Sequence, residues 1–232
     1  MNRYQTIFFD LDHTLWDFEA NSKVTLAHIY QSFELSNKGI EDFEPFYQVY
    51  RAHNERLWDR YRKGFMKREE LKWKRMWLTL LDFKMPNEAL AKDMAAVFIE
   101  MLPRQQRLFP YAIEVLDYCK AKQYELNLIT NGFEDTQWKK LEAAGLNSYF
   151  AHVVTSEKSN SVKPEPEIFE YALGLSQVSA DNALMIGDNL EVDIAGAQGA
   201  GIDQVYFNPG KLDHGHRPTF EIACLSELMD IL

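Results

Sequence analysis

An α/β fold, a doubly wound parallel sheet with a helical segment inserted after its first strand, is predicted by three observations. From Pro110 onward, short apolar runs alternate with amphipathic helical segments, the pattern of parallel strands joined by crossover helices. One further strand-like run, Thr6–Asp10, stands far upstream of the others. Between them, from about Glu19 to Leu102, the apolar spacing is helical and no convincing strand occurs.

In the upstream half, Leu26, Ile29, Tyr30 and Phe33 follow i, i+3, i+4, i+7 spacing. Phe43, Phe46, Tyr47 and Tyr50 repeat it, as do Trp73, Met76, Trp77, Leu80 and Leu81. Four helices fit this region, broken near Ser36–Asp42, Lys63-Gly64-Phe65 and Met85-Pro86-Asn87. In the downstream half, Glu125–Thr130, Ala151–Thr155, Ala183–Gly187 and Gln204–Phe207 read as strands. Helices are expected around Glu114–Lys122, Asp135–Ala144, Pro166–Leu173 and Val192–Gly199, with a last one near Leu225–Ile231. The first strand belongs to this half. The expected domains are therefore a core of residues 1–18 and 103–232, with residues 19–102 as an inserted helical domain.

The chain has 232 residues, 46% of them hydrophobic, enough to bury a substantial core. Its net charge of −10 argues against a nucleic-acid polymer as partner, since such binders need a basic footprint. It leaves room for a small phosphorylated substrate, because a metal ion and one lysine can invert the charge locally. Cys119 and Cys224 form no metal or redox pattern and read as reduced thiols of a cytoplasmic protein. The N-terminal apolar run is broken at Asp10, unlike a signal peptide, and no run approaches the ~20 residues of a membrane span. The oligomeric state is not set by any of these features.

Four clusters at strand ends carry chemistry. The first is Asp10, Asp12 and Thr14, where an apolar strand stops in two acids and a hydroxyl. Burying paired acids is costly unless a cation or catalysis uses them. The second is Thr130-Asn131-Gly132, and the third is Lys163, followed by Pro164 and Pro166 at a helix start. The fourth is Gly187-Asp188, with Asp193 five residues further on. Asp10 is suited to attack phosphorus, with Lys163 and a hard cation offsetting the repulsion between two anions.

In this order and context the clusters resemble the four motifs of the haloacid dehalogenase (HAD) superfamily: Asp10-x-Asp12-x-Thr14, Thr130, Lys163 and Gly187-Asp188-x₄-Asp193. The resemblance spans essentially the whole chain. It implies a Rossmann-like core of strand order 3-2-1-4-5 with a helical cap. It also implies Mg²⁺-dependent hydrolysis of a phosphate monoester through an aspartyl-phosphate. Asp10 is then the nucleophile and Asp12 the general acid and base. The Asp10 carboxylate, the Asp12 backbone carbonyl and the Asp188 carboxylate are the metal ligands. Thr130, the Asn131 backbone N–H and Lys163 bind phosphate, and Thr14 and Asp193 orient these groups. Dehalogenases of the superfamily lack an acid two residues after the nucleophile, so Asp12 favours phosphoryl transfer.

A narrower resemblance, to nucleotidases acting on pyrimidine nucleoside 5′-monophosphates, rests on Ile129-Thr130-Asn131-Gly132-Phe133, Leu141-Glu142-x₂-Gly145-Leu146 and Tyr149-Phe150. The stretch Asn54-Glu55-Arg56-Leu57-Trp58-x₂-Tyr61-x₂-Gly64 adds to it. It makes Asn54, Trp58 and Tyr61 candidates for substrate selection, together with Phe18 in a flap after the first motif. Relatives usually carry a glycine in the loop before the motif lysine. Here the residue is Asn160, which tolerates a left-handed conformation. A sugar-phosphate phosphatase or phosphomutase is the alternative, and a silent phospholigand-binding protein has no need of Asp12. Helical spacing also allows Trp58, Tyr61, Trp73 and Trp77 to be helical core, and His214-Gly215-His216 reads as solvated surface.

Overall fold

The computed structural model describes residues 3–232. They divide into two compact units, one of Met1–Phe18 and Gln106–Leu232 and the other of Glu19–Gln105.

The first unit is built on a six-stranded, all-parallel sheet of order β3-β2-β1-β4-β5-β6. The strands are β1 (Thr6–Phe9), β2 (Glu125–Thr130), β3 (His152–Thr155), β4 (Ala183–Gly187), β5 (Asp203–Phe207) and β6 (Phe220–Ile222). Strands covered on both faces read as continuous apolar runs, which is why Ile7-Phe8-Phe9 and Leu184-Met185-Ile186 are legible without alternation. Phe8, Ile129 and Met185 share one face with Ile168, Phe169 and Ala172. By strand alternation Ile7, Phe9, Leu128 and Ile186 lie on the other.

Two local differences from the sequence expectation stand out. β6 has no counterpart among the predicted strands. Its three residues are too few to show a period, and it exists through pairing with β5, Val205 opposite Phe220. The helix expected at Val192–Gly199 is a π-helical turn, Leu190–Ile194, leading into a short α-helix, Ala195–Gly199. Its start is set by Asn189, whose side chain accepts from the N–H groups of Glu191 and Val192 at 3.1 and 3.0 Å.

The second unit contains four helices: α1 (Phe18–Ser32, which begins in the first unit), α2 (Phe43–Arg62), α3 (Arg68–Asp82) and α4 (Glu88–Met101). The breaks coincide with Gly39 and Gly64, both at positive φ, and with Asn87, which caps α4 by accepting from Leu90 N–H at 3.0 Å. Its core holds Leu26, Ile29, Phe46, Tyr50, Leu57, Leu71, Met76, Leu80 and Phe98. Trp58, Tyr61, Trp73 and Trp77 are only half-buried, so helical spacing alone overstates their share of this core. Among the described residues no helix is long and apolar enough to cross a membrane.

Phe8 is fully buried at the centre of the sheet. Phe8→Ala should cost about 3–5 kcal/mol of stability by leaving a cavity there. Denaturant unfolding measures this, and a loss below about 1 kcal/mol would mean that this face is loosely packed.

Candidate active site

β1 ends at Phe9, and Asp10 continues its ladder by one bond, donating its N–H to Ile186 O at 2.9 Å. The chain then turns sharply. The N–H groups of Leu15 and Trp16 both reach back to Leu11 O, at 3.0 and 2.8 Å, and His13 takes a positive φ of 67°. This turn gives Asp10 and Asp12 different partners although only Leu11 separates them.

Asp10 belongs to the lysine cluster. The Lys163 ammonium, 1% exposed, donates to Asp10 Oδ1 and Asp193 Oδ1, each at 2.6 Å, and to Ile129 O at 2.7 Å. All three of its donors are therefore spent. The second oxygen of Asp193 accepts from Asn189 N–H at 3.1 Å. A side chain at Gly187 would put its Cβ 2.5 Å from Asp193, so the close approach needs glycine. The backbone of Lys163 is fixed by Asn131: Lys163 N–H donates to Asn131 Oδ1 at 2.8 Å, and Asn131 Nδ2 donates to Lys163 O at 2.9 Å. Asn160, in the loop leading to this lysine, sits at φ 53° and ψ 30°, the left-handed conformation anticipated from its amide side chain. Thr14 Oγ1 donates to Asp188 Oδ1 at 3.3 Å.

Asp12 belongs to a second lysine. Lys140, on the helix Glu134–Ala143, is buried and places Nζ 2.6 and 2.8 Å from the two carboxylate oxygens of Asp12. The same ammonium lies 4.5 Å from the centroid of the Trp16 ring and 5.6 Å from that of Phe18. Gln137 Nε2 donates to Asp12 Oδ2 at 3.0 Å and to Thr130 Oγ1 at 2.7 Å. Gly132 N–H also donates to Thr130 Oγ1, at 3.1 Å. Both acceptor positions of the Thr130 hydroxyl are thus filled, leaving its O–H free to donate. A Cβ at Gly132 would run into Gln137.

Sequence reading missed Lys140, Gln137 and the side-chain role of Asn131. Gln137 and Lys140 are one helical turn apart and so share a face. Nothing in the sequence, however, separates buried Lys140 from its exposed neighbour Lys139. Of the selection candidates, Phe18 lies against His13 and Trp16, at centroid distances of 5.0 and 6.1 Å. Asn54, Trp58 and Tyr61 lie on α2 in the helical unit, where Trp58 and Tyr61 meet edge to face at 5.5 Å. His214 and His216 pair with Glu221 and Glu191 at 3.2 and 3.8 Å; His214 is half-buried rather than solvated.

Asp10, Asp188 and Asp193 each bring a carboxylate oxygen within 4.8 Å of the others. One ammonium cannot neutralise three such carboxylates. Burial would by itself depress the Lys163 ammonium, but Asp10 and Asp193 outweigh it and hold Lys163 above the ordinary lysine range. The excess negative charge falls on the other two acids. Burial, then the charges of Asp193 and Asp188, push Asp10 up to about 8 against the pull of Lys163. Burial and Asp193 likewise push Asp188 up to about 8. An all-oxygen set with uncompensated negative charge fits a hard divalent cation such as Mg²⁺. The Asp12 carboxylate, held by Lys140, is not part of this set, whereas Asp193 is within its reach.

A doubly wound parallel sheet with acids, a hydroxyl and a lysine gathered at the carboxyl ends of its central strands places a ligand site at the topological switch point. The profile of the haloacid dehalogenase-like hydrolases matches residues 4–201, and the chain belongs to that family. It is 32% identical to the HAD-hydrolase YfnB of Bacillus subtilis over 100% of this chain and 97% of the relative. It is 30% identical to the pyrimidine 5′-nucleotidase PynA of Streptococcus pneumoniae, covering 99% and 95%. The pyrimidine 5′-nucleotidase YjjG of Escherichia coli is 31% identical, covering 99% and 98%. The crystal structure of YfnB bound to magnesium superposes with a TM-score of 0.88 at 30% identity, over 99% of both chains.

The charge imbalance has a testable sign. Asp10 and Asp188 rise from 3.8 in the unfolded chain to about 8 in the folded one, so the folded state holds more protons across that window. The metal-free protein should therefore lose stability as pH rises from about 4 to about 8. Mg²⁺ competes with those protons, so it should raise the melting temperature more at about pH 9 than at about pH 5. An equal rise at both values, measured by scanning calorimetry, would contradict a cation site at these acids.

Proposed function

We propose that the protein hydrolyses phosphate monoesters through an aspartyl-phosphate on Asp10, and that its substrates are nucleoside 5′-monophosphates, pyrimidines foremost. The observation that carries the phosphatase reading is the separate housing of the two acids, Asp10 on Lys163 and Asp12 on Lys140 and Gln137. A nucleophile and an independent acid–base group are what an ester with a poor leaving group requires, whereas displacement of halide needs no proton. The nucleotide reading draws on the two pyrimidine nucleotidase relatives.

In the first step an Asp10 oxygen attacks phosphorus, the bond from phosphorus to the alcohol oxygen breaks, and Asp12 gives that oxygen a proton. In the second, water attacks the aspartyl-phosphate, Asp12 takes the water's proton, and inorganic phosphate leaves with the Asp10 carboxylate restored. The Thr130 hydroxyl and the Asn131 N–H donate to phosphoryl oxygens, and Lys163 offsets their charge. Lys140 and Gln137 hold Asp12 in place for both proton transfers. Asp10, Asp188 and the Asp12 backbone carbonyl would hold Mg²⁺, whose charge lowers the repulsion between carboxylate and phosphate. The two free cysteines fit a cytoplasmic setting.

Asp10→Asn should abolish turnover in a protein that still folds, and full activity in that variant would sink the mechanism. Asp12→Asn should slow a nucleotide by about 10²–10⁴-fold, the worth of a lost acid–base group, and Lys140→Met should reproduce part of that loss. Equal rates for parent and Asp12→Asn on a nucleotide would remove Asp12 from the reaction.

A phosphate-release screen with Mg²⁺ over nucleotides and sugar phosphates tests the substrate class. Pyrimidine 5′-monophosphates should give the highest kcat/KM. Sugar phosphates turned over as well or better would retire the nucleotidase reading and keep the phosphatase one.

A further inference from the structure

The Thr130 hydroxyl differs from the other donors assigned to phosphate. A backbone N–H points where its peptide plane sends it, and an ammonium offers three donors, but a hydroxyl rotates about its C–O bond and can accept as well as donate. Its direction has to be imposed by its neighbours. Thr130 is buried at the end of β2, and two N–H groups occupy its acceptor positions: Gly132 N–H at 3.1 Å and Gln137 Nε2 at 2.7 Å.

Gln137 lies in the helix Glu134–Ala143 and is fully buried. Its one amide nitrogen serves two acceptors, Thr130 Oγ1 and, at 3.0 Å, Asp12 Oδ2. The two depend on it unequally. Without the amide, Asp12 would keep the Lys140 ammonium at 2.6 and 2.8 Å from its two oxygens, in charge-assisted bonds roughly twice as strong as one from a neutral amide. Thr130 would keep only Gly132. A water in the vacated place accepts the Thr130 proton as readily as it donates to Oγ1, so it would not fix the hydroxyl. Nor does the amide turn round, because its oxygen would then face the Asp12 carboxylate. Gln137 Oε1, at the other end, is buried with no partner, so the orientation is set by the two contacts of the nitrogen.

We propose that Gln137 is a positioning residue for phosphate capture: it fixes the direction of the Thr130 hydroxyl and supports Asp12 only secondarily. The proposal rests on the phosphatase reading above for what the hydroxyl binds. Gly132 gives a second, independent handle on the same contact. A Cβ there would run into Nε2 and Cδ of Gln137, so Gly132→Ala has to push the amide off Thr130. Gly132 is not among the positive-φ glycines, so the alanine meets no backbone strain of its own.

The test uses the full-length protein with Mg²⁺ and compares kcat/KM for 4-nitrophenyl phosphate, whose leaving group needs no proton, with that for a nucleoside 5′-monophosphate. Inhibition by inorganic phosphate is measured beside them. Gln137→Met should weaken inorganic phosphate by about tenfold or more and lower kcat/KM for both esters by a similar factor, the worth of one oriented hydrogen bond to a charged group. Lys140→Met, which acts on Asp12, should instead harm the nucleotide more than 4-nitrophenyl phosphate. Thr130→Val should cost about as much as Gln137→Met, and the double variant little more than either, because both remove one interaction. Gly132→Ala should repeat the pattern of Gln137→Met, and it carries the comparison if Gln137→Met does not fold.

A Gln137→Met loss that disappears on 4-nitrophenyl phosphate would make Gln137 a support of Asp12 and overturn the proposal. So would losses of Gln137→Met and Thr130→Val that multiply in the double variant, or inorganic phosphate bound by Gln137→Met as tightly as by the parent. If the parent hydrolyses neither ester, the phosphatase reading fails. Calorimetric binding of inorganic phosphate to the parent, Gln137→Met and Thr130→Val then still decides the role of Gln137, and a parent that binds no phosphate overturns it.

Discussion

The Lys163 ammonium is the point on which the site depends. It joins the end of β1 through Asp10, the end of β2 through Ile129 O, and the turn after β4 through Asp193. Three separate chain segments meet on one nitrogen that is essentially out of water. Removing it would leave Asp10, Asp188 and Asp193 together with no positive charge, a loss that buried ion pairs punish far more than their formation rewards. The surrounding details serve this contact. Asn131 ties down the backbone of Lys163, Asn189 takes the second oxygen of Asp193, and Gly187 leaves room for the carboxylate.

Two carboxylates separated by a single leucine would ordinarily repel one another and share a fate. The turn at Leu11 sends them to different lysines. Asp10 faces an ammonium already shared with another acid, whereas Asp12 has Lys140 nearly to itself, with Gln137 in support. Gln137 also links Asp12 to Thr130, so the carboxylate and the hydroxyl are held by one amide. That coupling explains why Gly132 must be small.

The two units treat buried charge in opposite ways. In the sheet unit, buried Lys140 and Lys163 are both met by carboxylates. In the helical unit, Arg75 is met by a neutral amide and an aromatic ring. Stability by itself would replace such an arginine with an apolar side chain.

By itself the sequence determined the alternation of strands and helices, and it marked Asp10, Thr130 and Asp188 as polar residues where apolar strands end. Apolar runs that end in acids leave a local signature, and motif spacing survives in one dimension. The left-handed Asn160 was legible for the same reason, since the preference belongs to the residue. Only the tertiary structure decided that β6 exists, that a π-turn carries Asp193, that Lys140 is buried beside an exposed Lys139, and that Arg75 has no carboxylate. Each of these depends on which distant segment packs against the residue. A charged side chain reads the same along the chain whether it ends in water or under another helix.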